Sequence, residues 1–71
     1  PASMWDDEVV RGSIGEGEFT IFYLNAGRVV AGLSVSRSGD LEHARRLIKS
    51  GADLGERAAA LGDPSTDLGS L

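Results

Sequence analysis

Glu18-Phe19-Thr20-Ile21-Phe22-Tyr23-Leu24-Asn25-Ala26-Gly27-Arg28-Val29-Val30-Ala31-Gly32-Leu33-Ser34-Val35-Ser36 carries the clearest structural signal in the chain. Residues 18–24 are mostly β-branched or aromatic, which suits a pleated, half-buried surface. Alternation puts Phe19, Ile21 and Tyr23 on one face and Thr20, Phe22 and Leu24 on the other, so both faces are expected to be at least partly covered. Asn25-Ala26-Gly27 has the length of a hairpin turn, and Gly27 supplies the positive φ that closes a three-residue loop. Residues 28–36 then run with period two, which predicts Val29, Ala31, Leu33 and Val35 inward and Arg28, Ser34 and Ser36 outward. The stretch reads as an antiparallel hairpin.

Upstream of it, Val9-Val10-Arg11 forms the centre of a short strand over residues 8–12, and Gly12, Gly15 and Gly17 punctuate an acidic, exposed connection to the hairpin. Residues 1–7 show no period and read as a linker or lead-in, with the domain proper spanning 8–71. Downstream the period becomes helical. Leu41, Ala44, Leu47 and Ile48 share a stripe, Asp40 is placed to cap the first turn, and Glu42 is spaced to pair with Arg46. Lys49 suits the negative end of the helix dipole and Gly51 offers a left-handed exit. Asp53 and Glu56 have capping-box spacing ahead of Leu54, Ala58 and Leu61, which predicts a second, shorter helix ended by Gly62 and Pro64. Residues 65–71 are expected to be an extended tail draped on the domain or a neighbour. The fold class is therefore α+β, a small antiparallel sheet of about three strands packed with two C-terminal helices.

A chain of 71 residues has room for one core, since domains this short bury only about 60% of their unfolded surface. With one Trp, one Tyr and two Phe that core is aliphatic, and association with something larger would help to stabilise it. There is no cysteine, which excludes thiol catalysis, disulfides and thiolate metal sites and leans towards the cytoplasm. The net charge of −4 has the wrong sign for a nucleic-acid footprint. The longest apolar run, residues 29–33, is far short of the roughly 20 residues of a membrane span. The chain starts at Pro1 without a methionine, as expected of processing or excision from a longer polypeptide.

No residue is assigned a catalytic, cofactor-binding or metal-binding role. The lone His43 has no Cys or second His to share a metal and lies beside Arg45 and Arg46, so it reads as a solvated helix residue. Gly12-Ser13-Ile14-Gly15-Glu16-Gly17 precedes a strand and carries acids, the wrong context for a phosphate cradle. Asp6, Asp7 and Glu8 read as a solvated acidic patch. Arg11, Arg28, Arg37, Arg45 and Arg46 read as arginines scattered for solubility, with docking of an acidic partner as the alternative. The apolar strand positions Phe22, Leu24 and Val30 are the candidate docking surface.

Five pieces, in order, resemble one family. They are residues 7–12 (Asp-Glu-Val-Val-Arg-Gly), 19–24 (Phe-Thr-Ile-Phe-Tyr-Leu), 27–35 (Gly-Arg-Val-Val-Ala-Gly-Leu-Ser-Val), 44–52 (Ala-Arg-Arg-Leu-Ile-Lys-Ser-Gly-Ala) and 61–68 (Leu-Gly-Asp-Pro-Ser-Thr-Asp-Leu). Together they resemble the C-terminal domain of FAD-dependent NAD(P)H:ferredoxin or rubredoxin reductases, the flavoproteins that feed Rieske dioxygenases and bacterial cytochrome mono-oxygenases. The resemblance implies an antiparallel sheet packed with helices, serving as an accessory or dimerisation domain. FAD and NAD(P)H would be held by upstream domains and none by this chain. The partners implied are those FAD- and NAD-binding domains, a homodimer, and a ferredoxin reached through the parent; neither nucleic acid nor membrane is expected. Two positions depart from the family pattern: Arg37-Ser38-Gly39-Asp40 stands for Arg-Pro-Arg-Asp, and Ala26-Gly27 for Asp-Gly. Met4-Trp5-Asp6-Asp7 only distantly echoes the family's flavin-side Phe-Trp-Ser-Asp-Gln, and no flavin role is carried to Trp5. The alternative is a stand-alone interaction or dimerisation module without catalytic activity.

Overall fold

The computed structural model describes residues 4–71; residues 1–3, the first part of the expected lead-in, lie outside the described residues. Three antiparallel strands, β1 (Asp7–Ser13), β2 (Glu18–Asn25) and β3 (Arg28–Val35), form a sheet in that order. Helix α1 (Asp40–Ser50), a 3₁₀ helix (Gly55–Gly62) and a short 3₁₀ turn (Leu68–Ser70) follow. The expected α+β class with a small antiparallel sheet is what the chain forms.

The hairpin closes more tightly than its sequence predicts. β2 runs through Asn25 and β3 starts at Arg28, so the turn is the pair Ala26-Gly27, with φ of 51° and 81°. Two positive φ values match the right-handed twist of the flanking strands. Gly27 takes its place without strain; Ala26 does not.

One irregularity reassigns the faces of β3. Leu24 lies opposite Val29, but Tyr23 lies opposite Ala31, which leaves Val30 as an extra residue in a β-bulge. A bulge inserts one residue and so reverses the side-chain phase beyond it. Val29 therefore faces the core, while Ala31, Leu33 and Val35 share the opposite face with Tyr23, Ile21 and Phe19. The inward assignment of Ala31, Leu33 and Val35 from simple alternation is corrected on this ground. Gly32 and Ser34 take the inner positions instead, and a Cβ at Gly32 would stand 3.1 Å from the Cβ of Ala44. Glycine is what lets α1 approach the strand.

The core lies between the inner sheet face and the C-terminal half. Phe22, Leu24 and Val29 meet Ala44, Leu47, Leu54, Leu61 and Leu68, with Val9, Ala58 and Leu71 packed around them. Gly51 ends α1 at φ 66°, donating its N–H to the Leu47 carbonyl, as the left-handed exit requires. Two caps differ from expectation. Gly39, at φ 90°, stands at the N-cap of α1 with no side-chain bond, and Asp40 is already inside the helix. The Asp53 carboxylate accepts from the Gly55 N–H at 3.0 Å, and the second helix has no side-chain cap. Its i→i+3 bonds, such as Arg57 N–H to the Leu54 carbonyl, make it a 3₁₀ helix. The tail is a folded strap ending in the Leu68–Ser70 turn, where Asp67 accepts from the Gly69 N–H.

Candidate docking face

Charged side chains on the inner side are consumed in holding the domain together. Arg11 follows Val9 on the inward face of β1 and is only 5% exposed. Its guanidinium donates to the carbonyls of Leu61 (3.4 Å), Asp63 (2.8 Å), Pro64 (3.3 Å) and Thr66 (2.8 Å). That stretch lies at and beyond the end of the second helix, where carbonyls lack regular partners. Arg11 Nε makes no hydrogen bond and stands 3.9 Å from Asp40 Oδ2.

Asp40 is the other half of this network. Its Oδ2 accepts from the Thr20 hydroxyl at 2.8 Å and from Arg37 Nε at 2.7 Å. Thr20 is also 3.0 Å from the Ser34 hydroxyl, which donates to the Arg37 carbonyl. Burial pushes the Asp40 carboxyl upward, but the hydrogen bonds from Arg37 and Thr20 and the charges of Arg37 and Arg11 outweigh it and hold the group below its ordinary value. Committed to Thr20 and Arg37, this carboxylate does not turn to cap its own helix.

The remaining arginines divide. Arg46 donates to the Leu68 and Leu71 carbonyls and meets His43 Nδ1 at 3.3 Å, binding the strap to α1. The expected Glu42–Arg46 pair is not among the ion pairs of the described residues. Arg28 donates to the Gly51 carbonyl and lies 3.9 Å from Asp53. Arg11, Arg37 and Arg46 are thus structural, which sequence scatter alone did not suggest.

The outer face of the sheet is apolar; among the described residues Trp5 lies against its Tyr23 end, and Val10, Leu33 and Val35 stay exposed. Val10, Ile21 and Leu33 form one row across the strands, flanked by the rows Phe19–Val35 and Tyr23–Ala31. Leu33 is 48% exposed, Val10 39% and Val35 37%. Of the three sequence-predicted docking residues, Phe22 (0%) and Leu24 (1%) lie in the core, and only the bulged Val30 is open to solvent. The strand alternation had separated Phe22 and Leu24 from the other face correctly; the helices cover the side they occupy.

Residues 4–7, the described part of the expected lead-in, are fastened to the hairpin end. The Asp6 N–H donates to the Leu24 carbonyl, the Ala26 N–H to Asp6 Oδ2, and Asn25 Nδ2 to the Met4 carbonyl. Trp5 lies against Tyr23. Among the described residues, no group of three or more His, Cys, Asp or Glu is placed to hold a metal. The cleft at the glycine loop is lined by Glu16 and Glu18 together with Gly12, Ser13, Arg37 and Pro64. The loop joins two strands rather than a strand and a helix, and its carboxylates repel phosphate, so these residues do not fit a dinucleotide. No described helix is long and apolar enough to cross a membrane.

The sequence pattern of the family described as Reductase C-terminal matches residues 2–71. The chain belongs to this family and is the C-terminal domain of a reductase. Such a domain associates with the other domains of its enzyme. No curated protein matches the chain.

Proposed function

We propose that this domain completes a flavin-dependent reductase that carries electrons from NAD(P)H through FAD to a ferredoxin-type iron–sulfur protein in the cytoplasm. The redox groups reside on the preceding domains, and this one contributes structure and contact surface rather than a reacting group. The family match along nearly the whole chain carries the reading. It is supported by the uncovered row Val10, Ile21 and Leu33, because an open apolar face of this kind marks an interaction site.

The outer sheet face is the docking surface in this reading, in place of the core positions Phe22 and Leu24. Sedimentation of the chain with the FAD- and NAD(P)H-binding portion of a reductase of this family tests it. The expected result is a complex that Leu33→Lys abolishes. A chain that forms only a homodimer, indifferent to the flavin portion, overturns the reading and favours the independent dimerisation module.

A further inference from the structure

β1 and β3 are the two edges of the sheet, and the fold treats them differently. At the β1 edge the second helix closes in: a Cβ on Gly62 would stand 3.0 Å from the Val10 carbonyl oxygen. The β3 edge is open. The Leu24 carbonyl accepts from the Asp6 N–H on the β1 side, and alternation along β2 gives Phe22 and Thr20 the same direction. Gly32 and Ser34 lie opposite Phe22 and Thr20, so they turn their N–H and C=O groups away from the sheet. Among the described residues no backbone group outside the strand ladder bonds to them. Gly32 is exposed even though it belongs to the inner face. A row of free backbone groups of this kind is a template for another strand.

Helix α1 runs below the same edge. It sends Asp40 to Thr20 on β2 and Leu41 to β3, where a Cβ on Gly32 would meet Leu41 Cδ2 at 3.6 Å. Ile48 is two helical turns beyond Leu41 and therefore on the same side of the helix; it is 40% exposed. Leu33 and Val35 are exposed on the other face of the edge strand. A strand added here would find an apolar side chain below it and two above.

The lead-in shows where such a strand comes from. Upstream of β1, Asp6 is bonded to Leu24 and Ala26, the Met4 carbonyl accepts from Asn25 Nδ2 at 2.7 Å, and Trp5 lies against Tyr23. Met4 and Trp5 then share a groove with Val30 and Ala31 of β3. Followed upstream, residues 6 to 4 cross the hairpin end of the sheet from one edge strand to the other.

We propose that the polypeptide upstream of Pro1 in the parent enzyme pairs with β3 as a fourth strand. It ends at the hairpin end of the sheet and so runs antiparallel to β3, with apolar residues on the side facing Leu41 and Ile48. The span agrees. From a strand beside β3 to β1 is three strand spacings, about 14 Å, and the six residues ahead of β1 reach about 20 Å. That polypeptide precedes this domain rests on its being the C-terminal domain of a reductase; the edge it joins rests on the geometry above.

Nuclear magnetic resonance of two chains tests this: the present one, and the same chain carrying in addition about 15 of the residues that precede it in the enzyme, enough for a strand of usual length. In the extended chain the Gly32 and Ser34 amides should exchange about tenfold more slowly, and the extension should show cross-strand contacts with residues 30–35. Equal exchange at Gly32 and Ser34 in the two chains, or contacts of the extension with Glu8, Val10 and Gly12 instead, overturns the proposal. Sedimentation of the extended chain with the FAD- and NAD(P)H-binding portion separates this idea from the function proposed above. If that portion binds while Gly32 and Ser34 stay unprotected, the fourth strand fails and the reductase reading stands. If both amides are protected and the flavin portion never binds, the strand stands and the docking reading fails.

Discussion

The two faces of one three-stranded sheet have been put to opposite uses. The inner face carries Phe22, Leu24, Val29, Thr20 and Arg11, all 5% exposed or less, with every apolar side chain against a helix and nearly every polar atom bonded. The outer face carries a row of similar side chains, Val10, Ile21 and Leu33, of which Val10 and Leu33 stay exposed. Hydrophobicity does not distinguish them. What distinguishes them is which side the chain crosses after β3, and that is set by Gly32 under α1 and by arginines that fasten the strap. The same composition thus makes a core on one side and a contact surface on the other.

Matched truncations on the two faces should separate them most strongly. Phe22→Ala should cost about 3–5 kcal/mol, as much as a domain of this size has in total, so circular dichroism should show an unfolded chain. Leu33→Ala should change the melting free energy by less than about 1 kcal/mol. Similar losses at the two positions would mean that the outer face is covered as well.

Removing the clasp comes next. Arg11→Met keeps most of the stem but takes the guanidinium from the carbonyls of Leu61, Pro64 and Thr66, and leaves that of Asp63 with the Thr66 N–H alone. A loss of about 2–3 kcal/mol is expected, with hydrogen exchange rising first over residues 61–71. Exchange rising uniformly would show that the strap is not a separate unit.

Asp40 sharpens the same contrast through pH. Its folded-state carboxyl titrates below its ordinary value of 3.8, so it contributes stability that is fully present above that pH. The contribution is lost as pH falls through the folded value. Urea melts between pH 2 and 6 should show a decline below about pH 4, and Asp40→Asn should flatten it. The smallest effect is expected at the turn. Ala26 holds φ 51°, and Ala26→Asn should stabilise the chain by about 0.5 kcal/mol.

Much of this was legible from residues alone. Residues 18–36 declared the hairpin through β-branched alternation, and Gly51 declared the end of α1. The bulge at Val30 was not legible, because residues 28–36 alternate cleanly on paper and only the pairing with β2 shows where the phase slips. That single slip moved Ala31, Leu33 and Val35 to the open face. Alternation names two faces without saying which one the helices cover, so from sequence Phe22 and Leu24 read as a docking surface while the fold puts them in the core. Arg11 was readable in part. An arginine two residues after Val9 in a strand shares its inward side, and a Gly-Asp-Pro stretch downstream offers carbonyls in need of a donor. The position of Asp40 fits a cap, but its partners, Thr20 and Arg37, are set by the tertiary fold.

The division between a holding face and a docking face is tested most directly by hydroxyl-radical footprinting, with and without the FAD- and NAD(P)H-binding portion of a family reductase. Leu33, Val35, Val10, Met4 and Trp5 should label readily in the free chain and be protected in the complex, while Phe22, Leu47 and Leu61 should stay unlabelled in both. A complex in which Leu33 and Val35 label as strongly as in the free chain would show that the outer face is not where the enzyme docks.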